Sequence, residues 1–190
     1  TGELSSGLRI SSLQDDPVAV AQSTLMTSAI AKDDRYVQTA SSETSRLQVA
    51  DSTLGEVVKQ LTTALSLAVQ GNNGTLNASN IASVTQQLSG IRDQVLSLAN
   101  TSYQGKYLFS GSQGSVQPFT LDTSTTPATT TYNGDASLQS IETPSGQKIQ
   151  VNLPGSDIFG GASGAFAALN QLIADLSGGA PSATLTVDTS

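Results

Sequence analysis

The sequence predicts an α+β protein: an elongated antiparallel long-helix bundle with a small β subdomain. Three observations carry that expectation. A stretch from Val18 to about Gln70 contains no proline and only one glycine, Gly55. A second seam of apolar residues runs from Ile81 to Leu98, and after Gly105 the helical period gives way to short alternating runs.

The first helix has a start signal in Ser11-Ser12-Leu13-Gln14-Asp15-Asp16-Pro17. Asp16 serves as N-cap, and Pro17 takes the first helical position, where its missing N–H costs nothing. Leu47, Ala50, Leu54, Val57, Leu61, Ala64 and Ala68 fall at alternating steps of three and four, a heptad seam widened by Val58 and Leu65. Leu25, Ala29, Tyr36 and Ala40 form a looser seam interrupted by Gln22, Lys32 and Glu43. At ~1.5 Å per residue the whole helix is on the order of 80 Å long, more than a compact globule of this length accommodates.

Gly71-Asn72-Asn73-Gly74 supplies the turn that ends it. A second helix capped by Asn77 or Ser79 follows, with Ile81, Val84, Leu88, Ile91, Val95 and Leu98 on one face. The short connection makes the two helices antiparallel neighbours. Helix two reaches the Leu47–Ala68 seam but not Val18–Ser45. That stretch is expected to pack on a helix from a missing C-terminal segment or from another subunit. Over it Val18, Leu25, Ala29, Ile30, Tyr36 and Val37 alternate with Asp33, Asp34 and Arg35, so this chain alone is expected to self-associate weakly.

Beyond Gly105, Tyr107-Leu108-Phe109 reads as a strand, and Tyr132-Asn133-Gly134-Asp135 as a hairpin signal. Leu138–Thr143, Pro144-Ser145-Gly146, then Ile149, Val151 and Leu153 suggest a further hairpin. A third helix is expected from about Gly164 to Ser177, with Phe166, Leu169, Ile173 and Leu176 on one face and Gly178 as its stop. The organisation expected is a long-helix hairpin over 1–106, a small β subdomain over 107–160, and over 161–190 a short helix that begins the return to the helical core.

Composition removes whole classes of function. The hydrophobic fraction is 37% of 190 residues; counting Gly and leaving out Tyr brings it to roughly 44%, close to an ordinary soluble protein. Charged residues are only 12%, and hydroxyl and amide side chains take their place. A net charge of −7 with 8 Lys+Arg provides no basic stripe, so no nucleic-acid partner is expected. No apolar run is long enough for a membrane span, so no membrane partner is expected. Thr1-Gly2-Glu3-Leu4 lacks the basic and apolar regions of a signal peptide, and a start without Met reads as a trimmed chain.

Catalysis has little to work with. There is no Cys and no His, hence no thiol nucleophile, no imidazole base and no thiolate or imidazole metal ligand. Lys59 and Lys106, read as solvated helical positions, are poor bases for an abundant Ser. Asp15-Asp16 and Asp33-Asp34 are too sparse in oxygens for a hard-cation site, and read as a helix N-terminal charge and a solvated face. Gly111-Ser112-Gln113-Gly114 is a turn, since no helix opening with Lys-Ser/Thr follows it. The expectation is a protein that is not an enzyme, with no cofactor and no metal.

Leu4-Ser5-Ser6-Gly7-Leu8-Arg9-Ile10-Ser11-Ser12 resembles the Leu-Ser-Ser-Gly-x-Arg-Ile-x-Ser segment of the bacterial flagellin superfamily. Asp15-Asp16-Pro17-Val18-Ala19 resembles the hook-associated protein 3 (FlgL) branch, where filament flagellins more often carry Ala-Ala-Gly after the Asp pair. Tyr107-Leu108-Phe109-Ser110-Gly111, following Asn100 and Gly105-Lys106, is similar to the same branch, as are Tyr132-Asn133-Gly134-Asp135 and Gly155-Ser156-Asp157-Ile158-Phe159. The matches run in order from about Leu4 to Leu176.

The resemblance implies a flagellin-like fragment lacking the terminal helices, from a structural subunit that joins hook to filament. It implies self-assembly in a ring, with other hook-associated proteins and flagellin as neighbours. It also implies export by the flagellar type III system to an extracellular flagellum, and a chaperone bound through terminal segments. Ser5, Ser6, Gly7, Arg9, Ile10, Asp15, Asp16, Pro17, Val18 and Ala19 are, by resemblance, the family motif and a subunit-contact region. In the segment that an innate receptor reads in some flagellins, Leu61, Leu67, Ala68, Val69 and Gln70 match. Thr63 and Leu65 stand where two arginines are needed, so receptor recognition is not expected. The rival readings are a divergent filament flagellin and, from another class, a signalling coiled-coil module. The latter should lack the β stretch from Tyr107 to Ile158. A secreted hydrolase is weakest.

Overall fold

The computed structural model describes residues 17–72, 77–160 and 164–178. Helix α1 spans Pro17–Gly71 and α2 spans Ala78–Ala99. Six short strands follow: β1 (Ser102–Tyr103), β2 (Lys106–Tyr107), β3 (Phe119–Asp122), β4 (Thr129–Tyr132), β5 (Ser140–Glu142) and β6 (Lys148–Gln150). Two helices close the described chain, the single-turn α3 (Gly155–Phe159) and α4 (Ala165–Ser177). The strands pair only in twos, β1 with β2, β3 with β4 and β5 with β6. The chain divides into two compact units, Thr1–Thr44 with Glu142–Gln147, and Ser45–Ile141 with Lys148–Ser190.

In the first unit, α1 begins at Pro17, as the proline signal predicts. The Asp16 cap lies outside the described residues. The hydroxyls of Thr24 and Thr27 donate to the carbonyls four residues back, at 2.9 and 2.8 Å. The same back-bonding recurs at Thr44, Thr53, Thr62 and Thr63. A helix so rich in Thr therefore satisfies its own hydroxyls without partners, at some cost in helix propensity. Glu142–Gln147 forms a tight turn in which Thr143 N–H donates to the Gln147 carbonyl at 2.8 Å.

The second unit holds the core. Val57, Ala64 and Ala68 of α1 join Val84, Leu88, Ile91, Val95 and Ala99 of α2 in one buried cluster. Asn77 caps α2, its side-chain oxygen accepting from the Asn80 N–H at 2.9 Å. The seam of α1 is narrower than its pattern suggests. Val58 is 62% exposed and Leu65 39%, so the two residues read as widening the seam face solvent, while Leu54 and Leu61 are only half-buried. The small residues Ala64 and Ala68 are among the most buried positions of α1.

Helix α4 completes the bundle. It contributes Phe166, Leu169, Leu172 and Leu176 to the same cluster and packs along α2. A Cβ on Gly71 would lie 3.1 Å from Leu176 and 3.3 Å from Val84, so that glycine leaves room for the Leu176 and Val84 side chains at the end of α1. The start of α4 meets the far end of α2: Phe166 packs tilted against Phe119 with ring centroids 5.3 Å apart, and Phe119 is tied to Asn100, the residue that ends α2. Helix α4 thus runs antiparallel to α2.

The β region differs in detail from the pattern. Tyr107-Leu108-Phe109 is not one strand: β2 is Lys106–Tyr107, and Leu108, Phe109 and Ser110 follow as buried, irregular backbone. Lys106 therefore lies on a strand and not on a helix. Gly155–Phe159, inside the stretch read as β, is helical.

Candidate functional site

No pocket chemistry stands out among the described residues. They contain no group of three or more His, Cys, Asp or Glu placed to hold a metal ion, and no helix long and apolar enough to cross a membrane. Lys59 is exposed and paired with Glu56 at 3.0 Å, and that pairing lowers the Glu56 pKa. The candidate site is instead two surfaces of α1, each in its own unit, and a joint in the β region.

The first surface is the initial part of α1. Pro17, Val18 and Ala19 of the expected contact region form its first turn, with Val18 68% exposed and Ala19 half-buried. Ser5, Ser6, Gly7, Arg9, Ile10, Asp15 and Asp16 lie outside the described residues. Leu25, Met26, Ile30 and Val37 follow, each at least 62% exposed. The i, i+4 and i+11 spacing of Met26, Ile30 and Val37 puts them on one side of the helix. Met26 was not among the residues singled out from the sequence, although its four-residue step to Ile30 marks it. Lys32 lies over the Tyr36 ring, 5.7 Å from the centroid, and Asp33, seven residues after Met26, falls on the same side as the apolar three.

A second strip lies on α1 within the other unit. Val58, Leu65 and Val69 are all exposed, Val69 by 69%, and they recur at helical spacing. Exposed aliphatic residues repeated on one helical face are the kind of surface that a packing partner covers.

The joint brings together three of the five motifs that carried the resemblance, Tyr107–Gly111, Tyr132–Asp135 and, through the Gly155 N–H donating to the Phe109 carbonyl at 2.9 Å, Gly155–Phe159. Ser110 and Gly111 lie against Asn133, Gly134 and Asp135. The Asp135 N–H donates to the Ser110 carbonyl at 3.2 Å, and Asn133 N–H donates to Pro118 at 2.7 Å. The Asp135 carboxylate accepts from the Ser112 and Ser137 N–H groups at 2.8 and 3.0 Å, and from the Ser112 hydroxyl. Those bonds, led by the hydroxyl, hold its pKa far below the usual carboxylate range. The Tyr132 hydroxyl sits 2.9 Å from the Phe109 carbonyl and 2.8 Å from that of Asp135, and desolvation raises its pKa. Gly111 has φ +70°, and a Cβ there would fall 2.0 Å from the Asp135 carbonyl oxygen. Only glycine fits. These motifs are fold-closing contacts, not reactive groups.

The pattern of the bacterial flagellin N-terminal helical region matches residues 1–114. The chain is 30% identical over 158 residues to flagellar hook-associated protein 3 of Salmonella typhimurium, covering 83% of this chain and 48% of that protein. It is 31% identical over 177 residues to the flagellin of Bacillus subtilis, covering 90% of this chain and 55% of that one. Among solved structures, FlgL of Xanthomonas campestris superposes with a TM-score of 0.64 at 29% identity, over 70% of this chain and 42% of that one. The chain spans about half the length of the curated relatives it matches. The helix pair, the small antiparallel ladders and these matches place the chain in the bacterial flagellin family, through that family's N-terminal helical region.

Proposed function

We propose that this chain is part of a structural subunit of the bacterial flagellum that joins hook to filament, a protein of the hook-associated protein 3 type. The observation that carries the reading is the similarity to hook-associated protein 3 across 83% of the chain, together with the likeness to FlgL structures. The two exposed apolar strips on α1 suit the work of such a subunit, which is to pack against neighbours. Its partners are then further copies in a ring, other hook-associated proteins and flagellin. Pro17, Val18 and Ala19 belong to the contact region. The place of action is the extracellular flagellum, reached by the flagellar type III system with a chaperone.

A divergent filament flagellin is the second reading, favoured by the match to the Bacillus subtilis flagellin over 90% of the chain. Deleting the gene in its host separates the two. A junction subunit is an adapter between two different tubes, so its loss is expected to leave hooks without filaments while flagellin is still made. Filaments growing normally from the hooks of the deletion strain would overturn the junction reading.

A further inference from the structure

Asn100 ends α2 and pairs with a strand at the same time. Its backbone N–H donates to the Leu96 and Ser97 carbonyls at 3.1 and 3.2 Å, the closing bonds of the helix. Its side-chain oxygen accepts from the Phe119 N–H at 2.9 Å, and its side-chain amide donates to the Phe119 carbonyl at 2.9 Å. A carboxamide carries the same donor and acceptor as a peptide group. Here it takes the place of a third strand beside β3, which otherwise pairs only with β4. A two-stranded ladder is marginal by itself. Phe119, opposite Tyr132 in that ladder, is also the ring on which Tyr132, Phe159 and Phe166 converge, at 5.0, 5.4 and 5.3 Å.

We propose that Asn100 is the positioning residue that locks the β3–β4 ladder to the end of the helix pair, making a rigid joint where a glycine or serine would leave a hinge. The fold uses the same device a second time. Asn152, 4% exposed, accepts from the Gln139 N–H at 2.7 Å and donates to the Ser137 carbonyl at 2.9 Å, closing the base of the β5–β6 hairpin. In both places a side-chain amide, half-buried at Asn100 and buried at Asn152, substitutes for ladder bonds that such short strands cannot supply. The joint goes beyond the junction reading and does not depend on it.

The test compares the 190-residue chain with its Asn100→Ala and Asn100→Asp variants by thermal melting at pH 7 and pH 3. At pH 7 both variants are expected to melt roughly 5–10 °C below the parent: alanine leaves the Phe119 N–H unpaired, and the carboxylate of aspartate sets its second oxygen against the Phe119 carbonyl, which keeps only the Gln117 side-chain amide as donor. A protonated carboxyl presents one hydroxyl donor and one carbonyl acceptor, as an amide does. At pH 3 the Asn100→Asp chain should therefore climb back toward the parent, while Asn100→Ala stays low. Measuring the parent at each pH absorbs the titration of Asp122 and Asp135 on the adjoining segments. Relief of charge at the helix end alone would raise Asn100→Asp only to the level of Asn100→Ala. That result, or an Asn100→Ala chain as stable as the parent, overturns the proposal. A variant that is unfolded at pH 7 but refolds at pH 3 only as the aspartate form supports it.

Discussion

Replacing Leu88 by alanine is expected to destabilise the chain by about 2–5 kcal/mol. Leu88 is 0% exposed and sits at the centre of α2, in the cluster with Val57 and Ala64 of α1 and Leu172 of α4. Removing it strips side-chain carbons from water-free contacts on three helices, which cannot all close into the cavity. Val58→Ala, about 100° round α1 from Val57, is the matched control, expected to stay within about 0.5 kcal/mol because Val58 is 62% exposed. Chemical denaturation reads both. A loss below about half a kcal/mol at Leu88 would mean that the helix pairing is wrong.

Phe119→Ala carries the second large effect, about 3–5 kcal/mol. The ring is 2% exposed and touches three other aromatic rings, drawn from β4, α3 and α4. Each tilted or edge-on pair adds to what its buried area alone supplies. The loss should fall unevenly. Hydrogen exchange is expected to rise across β3, β4 and the start of α4 well before it rises in the middle of α2. A uniform rise would show that the β region has no local core of its own, and an unchanged melting curve would remove Phe119 from the core.

The helical part was readable because its signals are local. Pro17 opens α1, Gly71 closes it, Asn77 caps α2, and Gly164 and Gly178 bracket α4. The three-four pattern of α2 named Val84, Leu88, Ile91 and Val95, all buried. What periodicity cannot fix is the width of a buried face. Val58 and Leu65 fit the heptads of α1 yet face solvent, because α2 and α4 cover a narrower arc than the pattern offers. In α4 the buried set takes in Leu172 where Ile173 was expected, since the neighbouring surfaces set the rotation of so short a helix.

The β region was less legible for a different reason. Its stability comes from single polar side chains acting over long sequence distances, and no period announces them. Asn100 reaches Phe119 across 19 residues, and Asp135 reaches Ser112 across 23. Leu108, Phe109 and Ser110 have the apolar look of a strand, but Tyr132 and Gly155 take up the Phe109 carbonyl in place of a ladder partner. Gly155–Phe159 is too short to show a helical period at all. The motifs Tyr107–Gly111 and Tyr132–Asp135 were visible as family signatures. Their physical role, closing one joint, was not.

A subunit that joins hook to filament, as proposed, occupies a short collar between two tubes and is not repeated along one of them. Electron microscopy of flagella labelled with a gold-conjugated antibody raised against residues 45–160 tests it most directly. A junction subunit should give label confined to a narrow band where the hook meets the filament. Label distributed along the filament would contradict the account and make this chain part of a flagellin.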